Sequence, residues 1–158
     1  MAQTHISPLA QVHPDAQLGA EVTVGPFVTI EANTVIGDRT VLDQGCIIRS
    51  GARIGSDCHI HPYAVIAGVP QDLKFRGEET TAVIGDHTTI REFATVNRGT
   101  ASRGTTIVGS NCLIMAYSHV AHDCVLKDHI ILGNATQLAG EVEIDDYAIL
   151  SGAVLVHQ

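Results

Sequence analysis

A parallel β-helix, wound from six-residue turns into a single all-β domain over residues 1–158, is the fold class the sequence predicts. Three observations carry it. Every sixth residue from Ile6 to Val156 is Ile, Leu or Val at 23 of 26 positions, and only Asp72, Glu78 and Ser102 fall out of step. Four residues after each anchor the side chain is small or β-branched, as in Ala16, Val22, Val28, Thr34, Thr40 and Cys46. The residue after the anchor is often glycine, as at Gly19, Gly25, Gly37, Gly55, Gly85, Gly109 and Gly133. A period of six matches neither the α-helical repeat nor simple strand alternation. It marks a solenoid in which short strands and turns coil upon one another.

Each register has a physical reason. A narrow prism needs a bulky residue at the middle of each face and a slim one near each corner, because interiors pack at crystal-like density. Glycine beside the anchor is expected to relieve a strained corner. The frame runs unbroken from Ile6 to Ile66, from Ile84 to Val96 and from Val108 to Val156. Between these blocks, about 67–82 (A-G-V-P-Q-D-L-K-F-R-G-E-E-T-T-A) and about 97–106 (N-R-G-T-A-S-R-G-T-T) read as loops that leave the prism. Each ends with the frame restored. Functional side chains are expected there, since loops carry what a scaffold positions. The last stretch, Leu150 to Gln158, stays in rhythm with no cap, so the expectation is a chain that stops before its solenoid does.

Composition narrows the function. A content of 45% hydrophobic residues with 4% aromatic suits a thin aliphatic core. The formal net charge of −8 argues against general nucleic-acid binding. No signal peptide or membrane-length apolar run is present in the sequence, which predicts a cytoplasmic protein. Cys46, Cys58, Cys112 and Cys124 all occupy the small-residue register, where packing accounts for them without a disulfide or metal. Lys74, Arg76, Arg91, Arg98 and Arg103 crowd around the two loops, a candidate docking patch for an anionic partner or a set of solvated charges.

Nine histidines offer chemistry near neutral pH. His59 and His61 flank the anchor Ile60 and should point outward together. The informative segment is Ser118-His119-Val120-Ala121-His122-Asp123-Cys124. There Asp123 stands where it could fix the tautomer of His122 for general-base work. At about eighteen residues per coil, His119 should lie beside Gln137, and Asp123 beside Glu141. A metal site needs three or four converging ligands, and in this segment His119 and His122 find no third, so no metal is expected.

V-H-P-D-A near the start, V-G-P-F at Val24 to Phe27, P-Q-D-L-K-F at Pro70 to Phe75, N-R-G-T at Asn97 to Thr100, H-V-A-H-D-C at His119 to Cys124 and V-H-Q at the end resemble the UDP-N-acetylglucosamine O-acyltransferases of lipid A biosynthesis, within the hexapeptide-repeat acyltransferase family. The resemblance implies a left-handed β-helix assembled as a homotrimer. It also implies transfer of an (R)-3-hydroxyacyl chain from acyl carrier protein to the 3-hydroxyl of UDP-N-acetylglucosamine. No cofactor is implied, the acyl group arriving on the phosphopantetheine of the carrier. By the same resemblance His122 would be the general base, Asp123 its orienting partner, and the Gly140 N–H an oxyanion donor. Gln71, Asp72, Lys74, His119, Glu141, His157 and Gln158 would bind substrate, and Arg91, Arg98 and Arg103 would dock the acidic carrier.

Two departures from the family pattern matter. Many members carry histidine where this chain has Glu141, which turns attention to an amino-sugar variant of the acceptor. The family also continues into further coils and a helical tail beyond the length of this chain. Two other readings stay open from the residues alone. One is a hexapeptide N-acyl- or acetyltransferase, against which the Q-D-L-K loop speaks. The other is a non-catalytic trimeric β-helix.

Overall fold

The computed structural model describes residues 3–158. Among them are twenty-three short strands and no helix, and so no helix long and apolar enough to cross a membrane. The strands form three parallel sheets. One has eight strands, from His5–Ile6 to Ile149–Leu150; a second has eight, from Gln11–Val12 to Leu155–Val156; the third has seven, from Gln17–Leu18 to Glu143–Ile144. The chain visits the three in turn, as the faces of a left-handed parallel β-helix.

Register follows the repeat. Ile6 pairs with Val24, Val24 with Leu42 and Leu42 with Ile60, so each coil advances 18 residues. His59 pairs with Thr89 and Thr89 with Leu113, so these two coils hold twelve and six residues more than a plain one. The strands Val65–Gly68, Thr81–Ile84, Thr95–Asn97 and Thr105–Val108 run on toward the insertions. Ladder hydrogen bonding thus claims the ends of both expected loops, and the segments leaving the sheets shrink to residues 69–80 and 98–104.

Eighteen of the twenty-three aliphatic anchors are buried; the other five, Ile6, Val12, Leu18, Leu150 and Val156, lie in the first and last coils, which have a neighbour on one side only. The small register does more than fill corners. Thr40, Thr88, Ser118 and Thr136 donate their hydroxyls to the carbonyls of Gly55, Gly109, Gly133 and Ser151, near the corresponding corner of the next coil. Cys46, Cys58, Cys112 and Cys124 aim Sγ at the carbonyls of His61, Gly85, Lys127 and Ala139 in the same way. All four thiols are free and buried, and burial raises the Cys46 pKa to about 12. They fill the small register, as predicted, and serve as donors besides.

The glycines work differently from expectation. The left-handed backbone falls on the third residue after the anchor, usually not a glycine: Glu21, Phe27, Asn33, Arg39, Asp57 and Tyr63 all have φ near +60°. Glycine beside the anchor instead allows coils to touch. A Cβ on Gly37 would sit 2.6 Å from the backbone of Gly55 and Ser56.

The Thr88 hydroxyl donates to Gly109 at 2.7 Å and accepts the Cys112 N–H at 3.1 Å. Thr88→Val leaves both partners buried and unpaired, and urea denaturation should show a loss of about 1–3 kcal/mol. Thr29→Val, on an outer face, should change stability by less than about 0.5 kcal/mol.

Candidate active site

The second sheet and the corner that follows it gather the polar residues. In strand His119–Val120 the valine faces inward, so His119 points out, between Thr95 and Gln137 of the adjoining coils. Its Nδ1 lies 2.7 Å from Thr95 Oγ1. Burial, aided by nearby His122, lowers its pKa, which keeps this imidazole neutral at pH 7.

Past Val120 the chain turns through Ala121 and His122 to Asp123, which takes the left-handed corner conformation at φ +61°. The turn sets the Asp123 side chain under residues 98–104, where it is fully buried. Its carboxylate accepts the Thr100 N–H at 3.0 Å, the Thr100 hydroxyl at 2.6 Å, the Arg103 N–H at 3.1 Å and His122 Nδ1 at 2.8 Å. Burial pushes its pKa upward, but the hydrogen bonds from Thr100, His122 and Arg103 outweigh that and hold it below the ordinary carboxylate range. An ionised Asp123 requires the proton of His122 on Nδ1. Nε2 then keeps its lone pair.

Gly140 makes room for that ring. A Cβ there would fall 2.5 Å from His122 Cε1 and 2.6 Å from Nε2. The Gly140 N–H has no acceptor among the described residues. In front of the pair lies an open cavity of about 1000 Å³. His119, His122, Gly140, Glu141 and Gln158 line its prism side, and Gln71, Asp72 and Lys74 reach it from residues 69–80. Glu141 accepts the Ser102 hydroxyl at 2.9 Å, and Arg103 pairs with Glu143 at 2.7 Å. These two contacts strap the loop across the corner.

Most of the expected binding residues thus meet in one place, with two exceptions. His157 lies outside the cavity lining, exposed, with Nδ1 near the Gln158 carbonyl. The three arginines do not form one patch. Arg91 precedes the second sheet and is paired with Glu92, whereas Arg98 and Arg103 follow it at the other edge. Arg98 is already engaged, lying over the Phe75 ring and donating to the Ser50 carbonyl, so it holds residues 69–80 in place rather than standing free. Its planar guanidinium suits that stacked position.

Sequence reasoning missed Thr95, Thr100, Ser102 and Tyr117. Thr100 lies inside the expected 97–106 loop, but nothing in its identity marks it as the partner of Asp123 that its hydroxyl becomes at 2.6 Å. Ser102 carried a signal, being one of the three breaks in the six-residue rhythm.

The chain matches the family described as bacterial transferase hexapeptide (six repeats) over residues 33–68. It is 46% identical over 108 residues, 67% of this chain and 41% of the relative, to the acyl-[acyl-carrier-protein]–UDP-N-acetylglucosamine O-acyltransferase of Campylobacter concisus. The crystal structure of a UDP-N-acetylglucosamine acyltransferase from Bacteroides fragilis superposes with a TM-score of 0.96 at 54% identity, over 97% of this chain and 60% of that one. The enzyme of the same name from Campylobacter jejuni gives 0.92 at 41%, over the same shares. The chain spans well under two thirds of the length of these relatives. A coil-for-coil match of this quality at such identity means that the chain belongs to the hexapeptide-repeat acyltransferase family.

Proposed function

We propose that this chain carries the catalytic corner of an acyltransferase that moves an (R)-3-hydroxyacyl group from acyl carrier protein to the 3-hydroxyl of UDP-N-acetylglucosamine, the first step of lipid A biosynthesis, in the cytoplasm. The observation that carries the reading is the His122–Asp123 pair: a buried carboxylate 2.8 Å from Nδ1 of a ring that lines the cavity. The curated relatives bearing that activity in their names support it.

In this mechanism Nε2 of His122 takes the proton of the sugar hydroxyl as its oxygen attacks the thioester carbonyl. The Gly140 N–H faces the developing oxyanion. The new C–O bond forms, the C–S bond breaks, and the imidazolium returns its proton to the departing phosphopantetheine thiolate. Asp123 stabilises the imidazolium and holds the ring in place. Gln71, Asp72 and Lys74 grip the sugar nucleotide, and subunits of a homotrimer close the cleft. Glu141, hydrogen-bonded to the neutral Ser102, would welcome an ammonium on the acceptor. An amino-sugar nucleotide therefore belongs in the acceptor panel.

Three outcomes test this. His122→Ala should lower turnover by at least about 10²-fold, judged by mass spectrometry of the acylated sugar nucleotide, with the β-sheet circular dichroism unchanged. Undiminished transfer would overturn the assignment. Gly140→Ala should cut kcat by displacing the ring, visible as changed His122 resonances in NMR. Thr100→Val should depress kcat with little effect on the sugar KM, and Thr100→Ser should restore it. The same pair tests the Asp123 pKa. Because the folded value is depressed, its stabilisation is present above the unfolded value and lost as pH falls below about 4. Thr100→Val should make that acid loss smaller in denaturation titrations, and Thr100→Ser should return it.

A further inference from the structure

The corner between the first and second sheets, across the second sheet from the cavity, brings together residues of three consecutive coils. Ile60 faces inward, so His59 and His61 both point out, and their rings stack with centroids 4.0 Å apart and planes 19° from parallel. From the coil before, Asp43 Oδ2 lies 2.7 Å from His59 Nε2 and 3.9 Å from His61 Nδ1. From the coil after, Glu92 Oε1 lies 3.3 Å from His61 Nδ1. We propose that this corner binds a divalent transition metal of the zinc class through Asp43, His59 and His61, with Glu92 or a water completing four-coordination.

The distances fit. Ligand atoms about 2.1 Å from a tetrahedral ion stand about 3.4 Å from one another. The contacts of 2.7, 3.3 and 3.9 Å straddle that value, and the ligand atoms of Asp43, His59 and His61 all lie within 4.8 Å of one another. Binding requires the two rings to turn out of their stack about the Cβ–Cγ bonds, so that each in-plane lone pair meets the ion. The partial exposure of His59, 42%, leaves space for that turn and a path for entry.

The ligand chemistry fits as well. Two imidazoles with a carboxylate select zinc, cobalt, nickel or copper over magnesium and calcium. Arg91 stands beside the cluster with its guanidinium paired to Glu92 at 3.1 Å. The backbone is pre-set by coil stacking, with Asp43 N–H bonded to Ile60 O and His61 N–H to Ile90 O. None of the four side chains lines the catalytic cavity. The proposal departs from the expectation of no metal, because these ligands come from three coils and are far apart in sequence. An ion here would staple three coils.

Cobalt(II) reports this directly. Titrated into the purified chain, it should give the intense visible bands of four-coordinate cobalt, saturating at one ion per chain, displaced by zinc and accompanied by a rise in Tm. His59→Gln/His61→Gln should lose the bands and the Tm rise while keeping the β-sheet circular dichroism. If that variant does not fold, Asp43→Asn, which keeps an acceptor for His59, should weaken cobalt binding at least about tenfold. Only the pale spectrum of six-coordinate cobalt, bands that survive the double substitution, or an unchanged affinity in Asp43→Asn would overturn the proposal.

Discussion

Coil-upon-coil register is the constraint on which everything else rests. Each coil hydrogen-bonds to the next along three faces, and each inward anchor lies on its counterpart one coil away. That stacking fixes where outward side chains fall. Thr95, His119 and Gln137 form a column on one face because Val96, Val120 and Leu138 form a column beneath it. The corner threonines and cysteines tie the stack further by donating to carbonyls of the coil above. The tolerance of this design is narrow along the helix axis, as Gly37 shows, and wide outward. An insertion that leaves at a corner and returns in frame disturbs no anchor.

The candidate site uses both properties. The prism supplies rigidity, setting His122 at a corner with its ring against Gly140. The six-residue insertion supplies what a plain coil lacks, a roof. Without Thr100 and Arg103 the Asp123 carboxylate would face water, and its pull on the His122 proton would be screened. Burying a carboxylate is costly unless it is paired and hydrogen-bonded. Here two backbone N–H groups, one hydroxyl and one imidazole meet that requirement. The loop that interrupts the repeat therefore fixes the tautomer of an outward histidine.

The fold was legible because periodicity is a property of the whole chain. One misplaced residue does not alter a frame kept by Ile60, Ile90 and Leu132 alike. His122 and Asp123 were legible as neighbours in sequence, and the 18-residue coil placed Gln137 beside His119 correctly. Thr95 was not, because the insertion after it lengthens its coil, so it lies 24 residues from His119 rather than 18. Thr100 was legible as a loop residue, but nothing in its identity reveals that its hydroxyl turns onto Asp123. The arginines misled for a related reason. Closeness in sequence says little about closeness in a solenoid, where Arg91 and Arg98 stand on opposite edges of one sheet. The Asp43, His59 and Glu92 grouping was hidden by separations of 16 residues and more.

A comparison within the molecule shows how much the covering loop decides. His59 meets Asp43 at 2.7 Å, and His122 meets Asp123 at 2.8 Å. Distance alone would make the two pairs equivalent. Yet the side chains of the first are 42% and 35% exposed, and those of the second 14% and 0%. Water weakens a charge interaction several-fold relative to a buried site. The exposed pair is therefore weakly held, and the buried pair is held in one arrangement. The same contact is open to solvent at one edge of the second sheet and enclosed at the other. What separates them is seven residues of loop.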